Sequence, residues 1–254
     1  MPLSSFAERG YAVVPAVDRV ALDAVRSALA ETTRELLGDQ GNDTEALFNQ
    51  FHERGIGGAE LNDLRVAIIQ AFNSRCDAGR LVFEAFRPYI TALCGADVVV
   101  QRSANIVISQ PHDDGVGPLH QDSPANSPFE IVVWLPMVDC FGSKSMLTWD
   151  RPETEAMVST VRADPTTFEA LDVGATGGNY VTVKYGEALI FWTSLFHRTP
   201  INTEAETRWS FNIRYKNLFS PYGAKGLLDY FRLLEASPLT TLALDEAAAR
   251  GGHG

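Results

Sequence analysis

Two His-x-Asp tripeptides stand close together in this sequence, His112-Asp113-Asp114 and His120-Gln121-Asp122. Residues i and i+2 of an extended strand point to one face, so either tripeptide can offer an imidazole and a carboxylate to a single ion. A third ligand has to come from a distant strand. His197 is placed for this, just after the apolar run Ala188-Leu189-Ile190-Phe191-Trp192. Two imidazoles and one carboxylate make the facial triad of non-haem iron(II) sites. That triad leaves neighbouring positions open for a bidentate acid and for dioxygen.

Eleven residues after His197, Arg208 opens the segment Arg208-Trp209-Ser210-Phe211-Asn212-Ile213-Arg214-Tyr215. The segment alternates. Trp209, Phe211, Ile213 and Tyr215 fall on one face, and Arg208, Ser210, Asn212 and Arg214 on the other. A solvated outer face explains such a pattern in an ordinary half-buried strand. So close behind a candidate ligand, an arginine and a hydroxyl two residues apart also form a clamp for a carboxylate. Arg214 is open to two readings, an anion clamp or a structural ion pair.

The rival tripeptide follows Pro111 and precedes Gly115 and Gly117, which marks it as loop. His112 and Asp114 are therefore expected at the mouth of the site, as substrate contacts or plain loop residues, rather than as metal ligands. Trp134 is expected on a strand lining the cavity or in the core.

The elements that must position these groups change character along the chain. Val20–Leu37, Ala59–Phe72 and Leu81–Leu93 carry apolar residues at helical spacing, and Asp18 is a plausible N-cap for the first. From about Asp97, short β-branched and aromatic runs alternate with turn residues: Val98–Gln101, Ala104–Ser109, Glu130–Pro136, Ser145–Trp149, Tyr180–Lys184, Ala188–Trp192 and Arg208–Tyr215. That texture belongs to a β-barrel or sandwich. Helices are expected again near 221–234 and 242–250. The expected whole is one domain over 1–254, mainly β with helices. It has a helical layer over about 18–95, a barrel core over about 97–217 and C-terminal helices over 221–250.

Composition narrows the partners. The chain has 254 residues and a formal net charge of −11, with 45% hydrophobic and 21% charged residues. An acidic surface disfavours nucleic acid and anionic membranes as partners. The three cysteines, Cys76, Cys94 and Cys140, are far apart and form no CxxC pair, which fits a reducing compartment. With no signal-peptide pattern at the start, a cytoplasmic location is expected.

In their order, these residues resemble the phytanoyl-CoA dioxygenase family of iron(II)/2-oxoglutarate oxygenases. The pieces are Phe6-Ala7-Glu8-Arg9-Gly10-Tyr11-Ala12-Val13-Val14-Pro15, His120-Gln121-Asp122, Gly186-Glu187-Ala188-Leu189-Ile190-Phe191 before His197, and Arg208 after it. The resemblance implies a double-stranded β-helix, a jelly-roll, cupin-like barrel, with helices against one side. It implies His120, Asp122 and His197 on iron, and Arg208 with Ser210 on the far carboxylate of 2-oxoglutarate. It also implies Gln110 as a further cosubstrate contact. Asp122 implies hydroxylation, desaturation or epimerisation rather than halogenation, because related halogenases lack that carboxylate. The segment Gly142–Pro152 lacks the family's usual turn and leans toward a small polar substrate, sugar-related or a secondary metabolite. The competing readings are a cupin-like metal enzyme that does not use 2-oxoglutarate and a non-catalytic small-molecule-binding barrel.

Overall fold

The Asp18 carboxylate accepts the Ala21 amide at 3.1 Å and starts the long helix that opens the helical layer. The structure is a computed structural model and describes residues 3–115, 117–123, 125–167 and 177–251. A short helix α1 (Phe6–Arg9) turns at Gly10 into strand β1 (Tyr11–Pro15). Gly10 has φ +77°, and a Cβ there would collide with the Leu195 side chain, so the turn requires glycine. Helices α2 (Arg19–Leu37), α3 (Thr44–Asn49), α4 (Gly58–Arg75) and α5 (Ala78–Cys94) follow. Helix α5 is kinked at Phe86, where Pro88 removes a backbone donor from the ladder.

The strands are β2 (Val98–Gln101), β3 (Asn105–Ser109), β4 (Gly117–His120), β5 (Glu130–Pro136), β6 (Leu147–Thr148), β7 (Asn179–Tyr180), β8 (Glu187–Trp192), β9 (His197–Thr199), β10 (Arg208–Asn217) and β11 (Phe231–Glu235). Helix α6 (Arg151–Ala163) lies between β6 and β7, and α7 (Pro238–Gly251) ends the described chain. Seven strands form a major sheet in the order β1-β8-β5-β10-β2-β11, with β3 on the first half of β10. Four strands form a minor sheet in the order β4-β9-β6-β7. Among the described residues the two sheets do not join into a closed barrel, as the jelly-roll expectation had it. The architecture is mixed α and β, two sheets with N-terminal helices.

The major sheet is buried on both faces. On one face Val133, Ile190, Trp209, Phe211, Ile213 and Tyr215 pack against Val25, Leu29, Phe72, Phe83 and Phe86 of the helices. On the other, Val132, Trp134, Leu189 and Phe191 meet Cys140, Met146 and Val183. Double burial explains why every residue of β5 is buried and why its sequence runs apolar without alternating. The outer face of the minor sheet, Leu119, Leu147, Trp149 and Phe196, is covered by Met157 and Val158 of α6. An Asp150–Glu153 capping box starts that helix.

Two further expectations are corrected. The segment 221–234 is no helix: its last residues form β11, which pairs with β2 from Phe231↔Gln101 onward. Gly223 and Gly226 interrupt any helical run, and the free edge of β2 offers backbone partners that a helix would leave unpaired. The run Tyr180–Lys184 is strand only at its start, with a single bridge from Val183 to Cys140 beyond it. Among the described residues no helix is long and apolar enough to cross a membrane.

Candidate metal centre

His120 closes β4 and His197 opens β9, and the two are direct partners across that ladder. Their rings sit 4.3 Å apart between centroids. Asp122 lies two residues beyond β4, with Oδ1 3.9 Å from His120 Nε2. One ligand atom from each of His120, Asp122 and His197 lies within 4.8 Å of the others. Among the described residues no other trio of His, Cys, Asp or Glu converges in this way, so the rival pair His112/Asp114 takes no part in such a cluster.

The hydrogen bonds fix which atoms face the centre. His120 Nδ1 donates to the Pro118 carbonyl at 2.8 Å, and His197 Nδ1 donates to the Leu195 carbonyl at 3.0 Å. A carbonyl only accepts, so both Nδ1 atoms carry the proton and both Nε2 lone pairs stay free. This is how an outer partner selects the tautomer of a metal-ligating histidine. Asp122 Oδ2 accepts from Arg214 Nη2 at 2.7 Å, which leaves Oδ1 toward the imidazoles.

Electrostatics favour the ligating protonation states. Burial pushes the His197 imidazole down to about 4, with His120 adding to the effect, so it is neutral at physiological pH. Burial raises the Asp122 carboxyl. The Arg214 guanidinium and the two imidazoles outweigh it and hold the group below the ordinary carboxylate value. The Phe191 ring edges onto His197 at 4.9 Å and closes the apolar side of the site.

Arg208 crosses from the major sheet to the minor one. Nη1 donates to the Ser145 carbonyl at 3.1 Å and Nη2 to Thr199 Oγ1 at 3.0 Å. The residue is 1% exposed, and its Nε has no partner. Among the described residues no carboxylate pairs with it. Burial lowers its pKa, and only the nearby Cys140 thiol, not a carboxylate, acts against the shift. Thr199 and His197 share a face of β9, two residues apart, about 6–7 Å along the strand. Two residues along β10, Ser210 Oγ is buried and unpartnered, and Asn212 Oδ1 beyond it is the same. A buried polar group left without a partner costs about 1–3 kcal/mol, and a buried lone charge costs more. This row is arranged to receive something polar.

The remaining sequence candidates fall around this core. Trp134 is buried opposite Asn212 and Leu189, so it lies between the sheets. Gln110 Nε2 donates to the Ile56 carbonyl in the segment before α4. His112 and Asp114 are exposed, and His112 has the uncommon φ of +60°, held by its amide on the Asn202 carbonyl at 2.7 Å. A cavity of about 450 Å³ borders β4 and β9, lined in part by Gly117, Pro118, Thr199 and Ile201.

Four further residues belong to the site. Thr199 was readable as the residue two beyond His197 on the same strand face. Arg214, open between two roles on sequence, is the ion-pair partner of Asp122. Tyr230 accepts from Arg214 Nη1 at 3.0 Å, and Lys225 sits over the Tyr230 ring at 4.4 Å. No local signal marks these two, because a helix was expected where they lie.

No family model matches the chain, and no curated protein matches it. Solved structures share its fold. The non-heme monooxygenase ThoJ superposes with a TM-score of 0.59 at 15% identity, covering 98% of this chain and 94% of that one. The non-heme alpha ketoglutarate dependent carbocyclase SnoK from nogalamycin biosynthesis gives a TM-score of 0.56 at 16% identity, over 88% of this chain and 85% of that one. HygX from Streptomyces hygroscopicus, solved with nickel and 2-oxoglutarate bound, gives 0.52 at 14% identity, over 90% of each. The chain therefore shares the fold of these proteins. At these identities the likeness is one of fold and singles out no family within it.

Proposed function

We propose that this protein is an iron(II)- and 2-oxoglutarate-dependent dioxygenase of the phytanoyl-CoA dioxygenase type that functionalises a C–H bond of a small polar metabolite. His120 Nε2, His197 Nε2 and Asp122 Oδ1 would hold the iron. The donor set fits a borderline ferrous ion, since two neutral imidazoles and one carboxylate leave it a net positive charge and open positions. When bound, iron(II) with 2-oxoglutarate and O2 supplies the oxidising power for C–H cleavage, with succinate and CO2 as co-products.

The observation that carries this reading is Arg208, a fully buried guanidinium with no carboxylate partner among the described residues, hydrogen-bonded to Thr199, which stands two strand positions from His197. A carboxylate of 2-oxoglutarate would neutralise it, and Ser210 Oγ, now without a partner, would donate to the same group. Thr199 and the Ser145 carbonyl hold the guanidinium in place beforehand, so little side-chain freedom is lost on binding. Phe191 packs edge-on against His197 with Trp134 and Leu189 in the same cluster, and this apolar wall would shield the His197 side of the centre from water and strengthen charge interactions there. Gln110, His112 and Asp114 are placed in this reading as contacts nearer the rim, and the resemblance of Gly142–Pro152 to relatives acting on sugars and secondary metabolites points to a small polar substrate.

The direct test is anaerobic addition of iron(II) and 2-oxoglutarate, read as a visible metal-to-ligand absorption band. We expect the band in the native protein, none in His120→Ala, and a weakened one in Arg208→Ala. An undiminished band in His120→Ala would overturn the ligand assignment.

A further inference from the structure

The residues between β10 and β11, 218–230, cross the polar side of the major sheet near Asp122. The segment is anchored from below. Lys216 Nζ and Ser127 Oγ both donate to the Pro221 carbonyl at 2.7 Å, and the Lys216 ammonium sits 3.7 Å over the Tyr222 ring. At its far end Tyr230 accepts from Arg214, and Arg214 in turn holds Asp122. Lys225 rests on the Tyr230 ring and is half-buried.

The charges around Lys225 do not match it. Asp122 is taken by Arg214 at 2.7 Å. Glu130 is buried, and its Oε1 receives the Ser127 amide at 2.9 Å. Lys225 makes no hydrogen bond or ion pair among the described residues; the Tyr230 ring is its partner. Burial and the neighbouring Arg214 charge both push its ammonium below the ordinary lysine value, while Asp122 and Glu130 pull the other way. Two cations close to the triad thus lack a carboxylate, Arg208 deep inside and Lys225 at the rim. In a chain of net charge −11, two such groups around one centre are a local reversal of sign.

Resting on the proposed function, in which 2-oxoglutarate occupies Arg208, we infer that Lys225 is the docking point for an anionic group of the substrate, a carboxylate or a phosphate. The substrate would lie between the open side of the metal centre and the 218–230 segment. Tyr230 holds the ammonium from below by its ring face and leaves its N–H groups for the ligand. Arg214 is spent on Asp122 and does not compete.

The experiment uses the full-length protein loaded with manganese(II) and saturating 2-oxoglutarate. Binding of the metal is followed by loss of the free manganese EPR signal. The probes are methylphosphonate, acetate and acetamide, each read by paramagnetic enhancement of its NMR relaxation. We expect enhancement for at least one of the two anions and none for neutral acetamide. In Lys225→Met the apparent affinity for that anion should fall about tenfold or more, and Lys225→Arg should restore most of it. Enhancement by methylphosphonate alone assigns a phosphate, and by acetate alone a carboxylate. Equal enhancement in Lys225→Met, or none for either anion in the native protein, overturns the inference. Manganese that stays free in the native protein sinks the metal reading itself, and this inference with it. Manganese bound normally without anion enhancement sinks the inference alone.

Discussion

Arg214 holds the Asp122 carboxylate by one oxygen, at 2.7 Å from Oδ2, and the other oxygen is left facing the two imidazoles. Both side chains are nearly buried, at 13% and 11% exposure. The pair is therefore shielded from solvent, unlike the surface ion pairs of the helical layer, which are worth little.

Removing Arg214 strips a buried carboxylate of its counterion and lets it rotate. Losing a positive charge near a cation acts in the opposite direction, but partners of metal ligands typically cost 10–100-fold in affinity when deleted. We expect Arg214→Ala to weaken manganese(II) or iron(II) binding by about that factor and Arg214→Lys to recover part of it. Metal titration followed by EPR decides the matter; native affinity in Arg214→Ala would contradict it.

Arg208 makes a prediction about stability as well as binding. A buried guanidinium without an acid is costly, and an apolar replacement of similar length is often neutral or stabilising. In the absence of 2-oxoglutarate, Arg208→Met should melt at or above the temperature of the native protein. In its presence the native protein should gain stability by mass action and the variant should not. Thermal unfolding with and without cosubstrate separates the two effects.

His197 links the metal-free fold to pH. Its folded pKa of about 4 lies below the unfolded value near 6.5, so below that value the unfolded chain takes up the proton more readily. Stability from this group is complete above about 6.5 and drains away as pH falls toward 4. The loss is on the order of 3 kcal/mol. Urea unfolding of the metal-free protein at pH 7 and pH 4.5 should show it, and His197→Gln should lose less over the same interval.

The thiols should be inert. Burial pushes Cys94 and Cys140 up to about 12 and Cys76 to about 11, so all three stay protonated at neutral pH. Mass spectrometry after iodoacetamide treatment at pH 8 should find the native protein unmodified and the urea-unfolded protein carrying three adducts. Rapid labelling of Cys140 in the native state would contradict its burial beside Trp134.

The site was more legible in sequence than the frame that carries it. The His-x-Asp spacing and the position of His197 after an apolar run are local features and pointed to the three residues that converge, although Asp122 lies just past β4 and is held by Arg214, not by strand parity. The alternation of β10 was equally plain, but parity does not say which face turns inward. Here the helices take Trp209, Phe211, Ile213 and Tyr215, and the polar row faces the other sheet instead of water. The expectation of a helix over 221–234 failed because pairing with β2, more than 120 positions away in sequence, overrode local spacing. That error hid Lys225 and Tyr230. Helix α6 carried a readable start, Asp150 with Glu153, where no helix was expected from the sequence.

One strand, β10, presents its even-numbered residues to the chemistry and its odd-numbered residues to the helices. Retuning for a new substrate and repair of lost stability can therefore be explored independently within the same ten positions. A library varying 212 alone, with Ser210 and Arg214 kept, should yield folded proteins of altered selectivity, and one varying the odd positions should yield mostly insoluble chains. Deleting a single residue there would exchange the two roles at a stroke.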